Sequence, residues 1–140
     1  MNIQILHPNA ITPTYATDGA AAFDLHAATI HPTYDKDTVV FGTGLAFEVP
    51  QGHVMLLFSR SGHGFKDDVR LANCVGVIDP DYRGEVKVKL RADGNKRPVV
   101  KQGDRVAQAL IVKAERQVFD VVDTLGQTTR GEQGFGSTGQ

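Results

Sequence analysis

The hydrophobic residues of this chain recur mostly at every second position. Three segments show a regular alternation of apolar and polar residues, namely 23–27, 45–49 and 86–91, and a fourth, 118–121, alternates less regularly. A period of two is typical of β-strands that bury one face. We therefore predict strands over all four segments.

Two further segments, 53–59 and 106–113, are nearly continuous apolar runs, which suits strands buried on both faces. Gly, Pro, Asn and Asp interrupt the chain at intervals of roughly ten residues, as they do between the short strands of sandwiches and barrels. Helical periodicity is confined to one or two turns near 61–66. The pattern predicts an all-β fold, a β-sandwich or jelly roll, with at most one short helix.

Composition limits the classes of partner. The chain has 140 residues with 41% hydrophobic and 22% charged residues, which is ordinary for one globular domain. Its net charge of −1 provides no basic field for nucleic acid. The apolar runs are far shorter than the roughly 20 residues of a membrane helix, and the first residues lack a signal-peptide pattern. We predict a cytoplasmic protein (in the host-cell cytoplasm if the gene is viral) that binds neither nucleic acid nor membranes.

Metal and thiol chemistry receive little support. The single cysteine, Cys74, lies in an apolar run, so we expect a buried and unreactive thiol. The five histidines lack the i, i+4 spacing of a metalloprotease and have no cysteine cluster beside them. A zinc site built by the protein is not expected.

Several segments contain residues that bind phosphate. Ser59–Gly62 joins an arginine to two hydroxyls, and 103–108 contains Gly103, Arg105 and Gln108. The last fifteen residues, 126–140, hold five of the fifteen glycines together with an arginine and hydroxyls. Arginine forks match phosphate oxygens, and glycine-rich backbone can bind anions. Each segment alone is weak evidence for a phosphate site, and composition by itself favours a flexible tail over 126–140.

The segment 73–88 has the pattern of a strand, a turn and a second strand. Pro80 suits the first corner of a turn, and Gly84 permits a positive φ. The segment could be a plain β-hairpin whose carboxylates cap the turn. It could also hold Asp79 as a base beside the aromatic face of Tyr82. At this point both interpretations stay open.

Five motifs, taken together and in order, resemble the trimeric dUTPase family (deoxyuridine triphosphate nucleotidohydrolase). They are AAFDL at 21–25, RSG at 60–62, GVIDPDYRG at 76–84, GDRVAQ at 103–108 and RGEQGFGSTG at 130–139. The resemblance implies a jelly-roll domain over 1–125 with a C-terminal lid over 126–140. It also implies a homotrimer with active sites at subunit interfaces. The implied reaction is hydrolysis of dUTP to dUMP and pyrophosphate, with Mg²⁺ on the triphosphate.

The resemblance assigns roles to individual residues. Asp79 would be the general base that activates a water for attack at the α-phosphorus. Uracil and deoxyribose would be bound by Asn73, Gly76, Val77, Ile78 and Tyr82, with Tyr82 excluding a 2′-hydroxyl. The phosphates would be held by Arg60, Ser61, Gly62 and Gln108, and Asp24 would reach the metal through water. The lid would contribute Arg130, Phe135, Gly136, Ser137 and Thr138.

Three departures from the family pattern are Ala22, His63-Gly64 and Gln133. Gln133 replaces a usual glycine and is expected to restrict the backbone of the lid. Two alternatives remain. A dCTP deaminase of the same fold would need a glutamate placed for water attack at cytosine C4, and it would lack the Asp-x-x-Tyr turn. A nucleotide-gated regulatory binding protein would keep the motifs without turnover.

Overall fold

The computed structural model describes residues 1–93 and 97–134. Within these ranges the chain forms ten strands and one short helix. They are β1 (Asn2–Ile5), β2 (Phe23–His26), β3 (Thr29–Pro32), β4 (Thr38–Gly42), β5 (Leu45–Glu48), β6 (His53–Phe58), α1 (Ser61–Asp67), β7 (Val69–Leu71), β8 (Val75–Ile78), β9 (Lys87–Ala92) and β10 (Arg105–Lys113).

The strands form two antiparallel four-stranded sheets, in the orders β2-β10-β6-β8 and β3-β4-β9-β7, and a two-stranded sheet of β1 and β5. One hydrophobic core contains the inward residues of both larger sheets, including Leu25, Met55, Phe41 and Leu90. Burial of apolar faces between two sheets is the arrangement of a β-sandwich. The predicted all-β jelly roll is confirmed.

The period-two pattern predicted three strands correctly. In β2, for example, Phe23 and Leu25 are buried while Asp24 and His26 are half-buried. The two apolar runs also form strands, β6 and β10, but β6 buries only Met55 and Leu57 fully. Its other residues are half-buried, so the expected burial on both faces is only partly correct.

The strand predicted over 118–121 is wrong. The chain has no strand after β10, which ends at Lys113, as far as residue 134. Val118 and Phe119 are about 90% exposed, and Val121 is fully exposed. An alternating pattern needs a neighbouring strand for its backbone hydrogen bonds, and the described part of this chain provides none here.

The predicted helical turn is confirmed as α1, which follows β6 directly. The helix ends at Asp68, a left-handed residue with φ 52°, whose N–H donates a hydrogen bond to the His63 oxygen. Over residues 1–93 and 97–134 the protein has no helix with the length and apolar character that crossing a membrane requires.

The segment after β8 is not a hairpin. β8 pairs with β6 in one sheet, whereas β9 pairs with β4 and β7 in the other, so the chain changes sheets between them. The predicted tight turn is present, because the Tyr82 N–H donates to the Asp79 oxygen at 3.2 Å across Pro80. The turn therefore connects the two layers of the sandwich.

Gly84 does not have the positive φ that we predicted. The structure gives a different reason for glycine at this position. A Cβ on residue 84 would lie 2.5 Å from the Tyr82 hydroxyl oxygen. Packing against an aromatic side chain, rather than backbone conformation, therefore requires the glycine.

Candidate functional site

The edge strand β8 borders a cavity of about 430 Å³, here called the edge-strand cavity. Within the described residues β8 pairs only with β6, so its second edge has free N–H and C=O groups. Four predicted binding residues line this cavity: Asn73, Gly76, Val77 and Ile78. Alternating donors and acceptors on such an edge can pair with the polar edge of a planar base.

Gly76 lets the strand and its neighbour approach closely. Its backbone is buried, and a Cβ there would lie 3.0 Å from the Leu57 Cβ across the sheet. The opposite side of the cavity is formed by Lys87, Val88 and Lys89. The cavity therefore lies where β8 and β9 separate into different sheets.

A second cavity of about 400 Å³, here called the turn cavity, lies beside the first. It is lined by Asp79, Tyr82 and Glu85, and it shares Val77, Ile78 and Lys87 with the edge-strand cavity. The Asp79 side chain is exposed, and Tyr82 is 44% exposed. A carboxylate and an aromatic ring thus border the space next to the free strand edge.

Tyr82 is held in place at its hydroxyl. The hydroxyl donates to the Glu85 backbone oxygen at 3.0 Å. The ring covers Gly84, where there is no space for a side chain. These contacts leave part of the ring exposed to the turn cavity, where it can pack against a ligand.

The third cavity, of about 820 Å³, is here called the arginine cavity. It brings together four more of the predicted residues: Asp24, Arg60, Ser61 and Gln108. The central strand β10 accounts for this, because Gln108 pairs with Asp24 of β2 on one side and Phe58 of β6 on the other. Gly62 lies next to Ser61 in α1 but does not line the cavity.

Two guanidinium groups bind one carboxylate at this cavity. Arg60 Nε donates to Asp24 Oδ1 at 3.0 Å, and Arg105 Nη1 donates to Asp24 Oδ2 at 3.1 Å. Two positive charges against one negative charge leave the cluster net positive. Such a cluster suits phosphate, since arginine binds phosphate oxygens with a matching fork of donors.

Arg105 is a residue of this cluster whose individual role the sequence does not predict. The sequence places it only within the phosphate-binding segment 103–108. The signal lay in the strand register, because Arg105 is on β10 opposite His26, two positions from Asp24 on β2. That pairing can be seen only once the two strands are known to be neighbours.

Two histidines flank the arginine cluster. Burial lowers the pKa of His26, with Asp24 opposing this shift and Arg105 and Arg60 adding to it. Burial also lowers the pKa of His63, and the nearby Arg60 charge acts in the same direction. Both imidazoles are therefore neutral near pH 7, and the positive charge of the cluster comes from its arginines.

Comparison with known proteins decides the family. A sequence model of the dUTPase family matches residues 8–139. The chain belongs to the dUTPase family. As a member, it is an enzyme of the dUTP diphosphatase type.

Two relatives carry the name deoxyuridine 5′-triphosphate nucleotidohydrolase. The Helicobacter hepaticus protein is 43% identical over 139 residues, covering 99% of this chain and 88% of the relative. The Nautilia profundicola protein is 39% identical over 140 residues, covering 100% of this chain and 99% of the relative. The resemblance drawn from the five motifs is confirmed.

Solved structures support the fold. A mutant dUTPase of Staphylococcus bacteriophage 80alpha, solved with dUpNHpp, matches with a TM-score of 0.86 and 24% identity, over 99% of this chain and 98% of the phage chain. The dUTPase of phage phi11 of S. aureus matches with a TM-score of 0.75 and 22% identity, over 91% of this chain and 98% of that chain.

Cys74 of this dUTPase is exposed, so the expectation of a buried thiol is wrong. Cys74 has a left-handed φ of 64° and lines the arginine cavity. Its N–H donates to the Leu71 oxygen at 3.2 Å, and the Val75 N–H donates to the Asn73 oxygen at 2.7 Å. The chain therefore turns at this point, and the apolar run does not continue as one buried strand.

The C-terminal segment of the dUTPase is described as far as residue 134. Over 126–134 it has no helix or strand and is almost entirely exposed. Arg130 Nε donates to the Gln133 oxygen at 2.8 Å, and Gly131 adopts a left-handed φ of 54°. Gln133 has no positive φ, so this conformation does not need a glycine there. The predicted lid residues Phe135, Gly136, Ser137 and Thr138 lie outside the described residues.

The arginine cavity of the dUTPase shares no lining residue with the edge-strand cavity or with the turn cavity. It approaches the edge-strand cavity only through sequence neighbours, since Phe58 and Cys74 line the one and Leu57 and Asn73 line the other. Asp79 and Tyr82 therefore line one region of the chain, and Arg60, Asp24 and Gln108 line another. Within a single chain, the predicted base and the predicted phosphate ligands do not share a cavity.

Proposed function

We propose that this dUTPase hydrolyses dUTP to dUMP and pyrophosphate, which limits uracil in DNA and supplies dUMP for dTMP synthesis. The observation that carries the proposal is the joining of the edge-strand and turn cavities through Val77 and Ile78. A free strand edge, an aromatic ring and an exposed carboxylate thus lie side by side, and they would contact the base, the sugar and the α-phosphate of the nucleotide respectively. We place its activity in the cytoplasm.

Uracil selection is assigned to Asn73 and the free edge of β8 at Gly76, Val77 and Ile78. Uracil presents an acceptor, a donor and an acceptor at O2, N3–H and O4, which a strand edge can complement. Cytosine reverses two of these groups and would leave buried polar groups without partners. Such a mismatch can discriminate strongly between otherwise similar substrates.

Sugar selection is assigned to Tyr82. Its ring would pack under the deoxyribose and leave no space for a 2′-hydroxyl. The support is the fixed position of the ring, since its hydroxyl donates to the Glu85 oxygen at 3.0 Å. A ring held at its far end cannot swing away cheaply to admit a larger sugar.

Asp79 is assigned the role of general base. Its carboxylate would accept a proton from a water as that water attacks the α-phosphorus, with pyrophosphate as the leaving group. A base must lie within about 3 Å of the water that it deprotonates. Asp79 is exposed at the turn cavity, where a water could lie between it and the α-phosphate.

The phosphate chain is assigned to Arg60, Ser61, Gly62 and Gln108. Positioning and neutralisation of charge provide most of the catalysis in phosphoryl transfer. Arg105 does not line this cavity, but it shares Asp24 with Arg60 and so adds positive charge next to it. The net positive cluster would stabilise the negative charge that develops on the leaving pyrophosphate.

Mg²⁺ is assigned to the substrate phosphates, with Asp24 contributing through water. No cluster of three or more His, Cys, Asp or Glu in the described ranges could hold a metal by itself. Both Asp24 oxygens already accept hydrogen bonds from arginines. This arrangement fits Mg²⁺, which keeps several waters and needs few protein carboxylates when phosphates bind it. When bound, the ion would neutralise phosphate charge.

We also propose a homotrimer whose active sites lie between subunits. The turn cavity and the arginine cavity are separate within one chain, so a complete site needs residues from two chains. The segment after β10 exposes Val118, Phe119, Val121 and Leu125, each to 87% or more. Such a series of exposed apolar residues is typical of an interface. The segment 126–140 would then close over a site as a lid, with Arg130 on the γ-phosphate.

The test is release of pyrophosphate from dUTP beside dTTP, dCTP and UTP, with and without Mg²⁺. We expect release from dUTP with Mg²⁺ and little from the others. Ammonium released from dCTP would instead indicate the deaminase alternative. Binding of dUTP without turnover would indicate a nucleotide-gated binding protein. Either result would overturn the proposal.

A further inference from the structure

Glu85 lines the turn cavity without an assigned role, and its side chain is only 24% exposed. Its Oε1 accepts a hydrogen bond from the Gly44 N–H at 2.9 Å, and its Oε2 lies 3.6 Å from Lys87 Nζ. Its backbone oxygen accepts the hydrogen bond of the Tyr82 hydroxyl. One residue therefore connects the turn between β4 and β5 to the aromatic ring of the candidate site.

The turn between β4 and β5 is shaped to receive this carboxylate. A Cβ on Gly42 would lie 2.5 Å from Glu85 Oε1, so glycine leaves the space that the carboxylate occupies. Gly44 is buried with a left-handed φ of 67°, which directs its N–H toward Glu85. A buried N–H needs a partner, and a carboxylate is a strong acceptor.

The backbone next to Glu85 is bound to the same turn. Thr43 Oγ1 donates to the Val86 oxygen at 2.7 Å, and the Val86 N–H donates to the Leu45 oxygen at 2.9 Å. The Val86 N–H and the Glu85 carbonyl belong to the same peptide unit, so the bond to Leu45 anchors that unit on its C-terminal side. The carboxylate of Glu85 adds a second anchor on the N-terminal side, and the carbonyl that holds Tyr82 lies between the two.

Tyr82 depends on that carbonyl for its position. Its hydroxyl oxygen occupies the space next to Gly84, where a Cβ would lie 2.5 Å away. A shift of the 84–85 backbone would therefore move both contacts of the ring together. The position of the Tyr82 ring therefore depends on the position of the backbone at residue 85.

We propose that Glu85 is a positioning residue for sugar selection, which acts by anchoring its own backbone carbonyl to Gly44 and thereby fixing Tyr82. The inference rests on the proposed role of Tyr82 in excluding a 2′-hydroxyl. If the inference is right, loss of the carboxylate lets UTP enter the site, while the proposed roles of Asp79 and Arg60 are unaffected.

The experiment compares kcat/KM for dUTP and UTP in the full-length protein. Glu85→Ala removes the anchor, Glu85→Gln keeps an acceptor oxygen, and Asp35→Ala removes a carboxylate from an exposed position between β3 and β4 as the matched control. We expect the dUTP-to-UTP ratio to fall roughly tenfold in Glu85→Ala. The ratio should stay within about twofold of the wild type in Glu85→Gln and in the control.

Two more variants separate this inference from the proposed function. Tyr82→Ala tests whether the ring selects the sugar at all, and an unchanged ratio there would overturn the proposed role of Tyr82. If Tyr82→Ala lowers the ratio but folded Glu85→Ala does not, the positioning role of Glu85 is wrong. Should Glu85→Ala fail to fold, Glu85→Asp decides, because it keeps the charge but shortens the side chain by one methylene and withdraws the carboxylate from the Gly44 N–H. A several-fold lower ratio supports the inference, and an unchanged ratio overturns it.

Discussion

Arg60 Nε lies 3.0 Å from Asp24 Oδ1, and both side chains are about four-fifths buried. The Nε of this guanidinium binds the carboxylate, and its remaining N–H groups can donate hydrogen bonds to phosphate oxygens. Arg105 binds the second oxygen of the same carboxylate from the neighbouring strand. Asp24 therefore sets the geometry of two arginines at once.

Asp24→Asn should weaken substrate binding although it removes a negative charge near the phosphates. Loss of the charged acceptor frees both arginines from their shared position, and the free energy of unfolding should fall by about 1–3 kcal/mol. We expect a higher KM for dUTP and a higher Mg²⁺ concentration for half-maximal rate. Steady-state kinetics over a Mg²⁺ series measure both quantities, and unchanged values would contradict the role of Asp24.

The lowered pKa values of His26 and His63 predict a loss of stability on acidification. Between pH 7.5 and 5.5 the unfolded chain takes up protons on these histidines, near their ordinary pKa of 6.5, whereas the folded chain resists them. Stability therefore falls as the pH falls. The double variant His26→Gln with His63→Gln should show a smaller fall in Tm over this range than the wild type. An equal fall would contradict the burial of these imidazoles in the neutral form.

Sequence patterns predicted β2, β5, β6, β9 and β10, and they also placed a strand in the segment that contains β8. They missed β4, an inner strand of its sheet, together with β1, β3 and β7. They failed over 118–121, because an alternating pattern does not reveal whether a neighbouring strand exists in the same chain. They also failed at Cys74, whose apolar neighbours indicated burial although a left-handed turn at that residue exposes the thiol. A local pattern of apolar residues indicates the periodicity of a segment, but it does not indicate where the backbone turns.

Sequence motifs predicted the residues of the candidate site that they contain, but they did not predict features that depend on packing between distant residues. Asp79, Tyr82 and Arg60 were found from motifs, and the structure places them at cavities. Gly84 was assigned a turn conformation, whereas the structure shows that it makes room for Tyr82. The pairing of Arg105 with Asp24 could not be predicted, because the two residues lie 81 positions apart in sequence.

Removal of 128–140 should abolish most of the turnover without unfolding the domain. The described part of this segment makes no strand and is exposed, so the core does not depend on it. Loss of Arg130 and the residues after it would leave the site open to water. We expect a sharply lower kcat with a Tm within a few degrees of the wild type. A truncated protein with normal kcat would rule out the lid.

The exposed apolar segment after β10 is expected to form contacts between subunits. For the proposed homotrimer, mass measurement in solution should give three chains, with Val118, Phe119 and Val121 removed from water. Phe119→Asp with Val121→Asp should lower the mass and the activity together, because the proposed site combines residues of more than one chain. Thr14→Asp, at an exposed position outside these segments, serves as the control. A fully active monomer would contradict shared sites.

The most direct test is the single-turnover rate of pyrophosphate release from dUTP by Asp79→Asn at saturating protein, with dUTP affinity measured on the same variant. Asparagine keeps the shape of the side chain but cannot accept the proton of the attacking water. We predict affinity within a few-fold of the wild type and a rate lower by about 10²–10⁴-fold or more. A near-normal rate would remove Asp79 from its role and contradict the proposed mechanism.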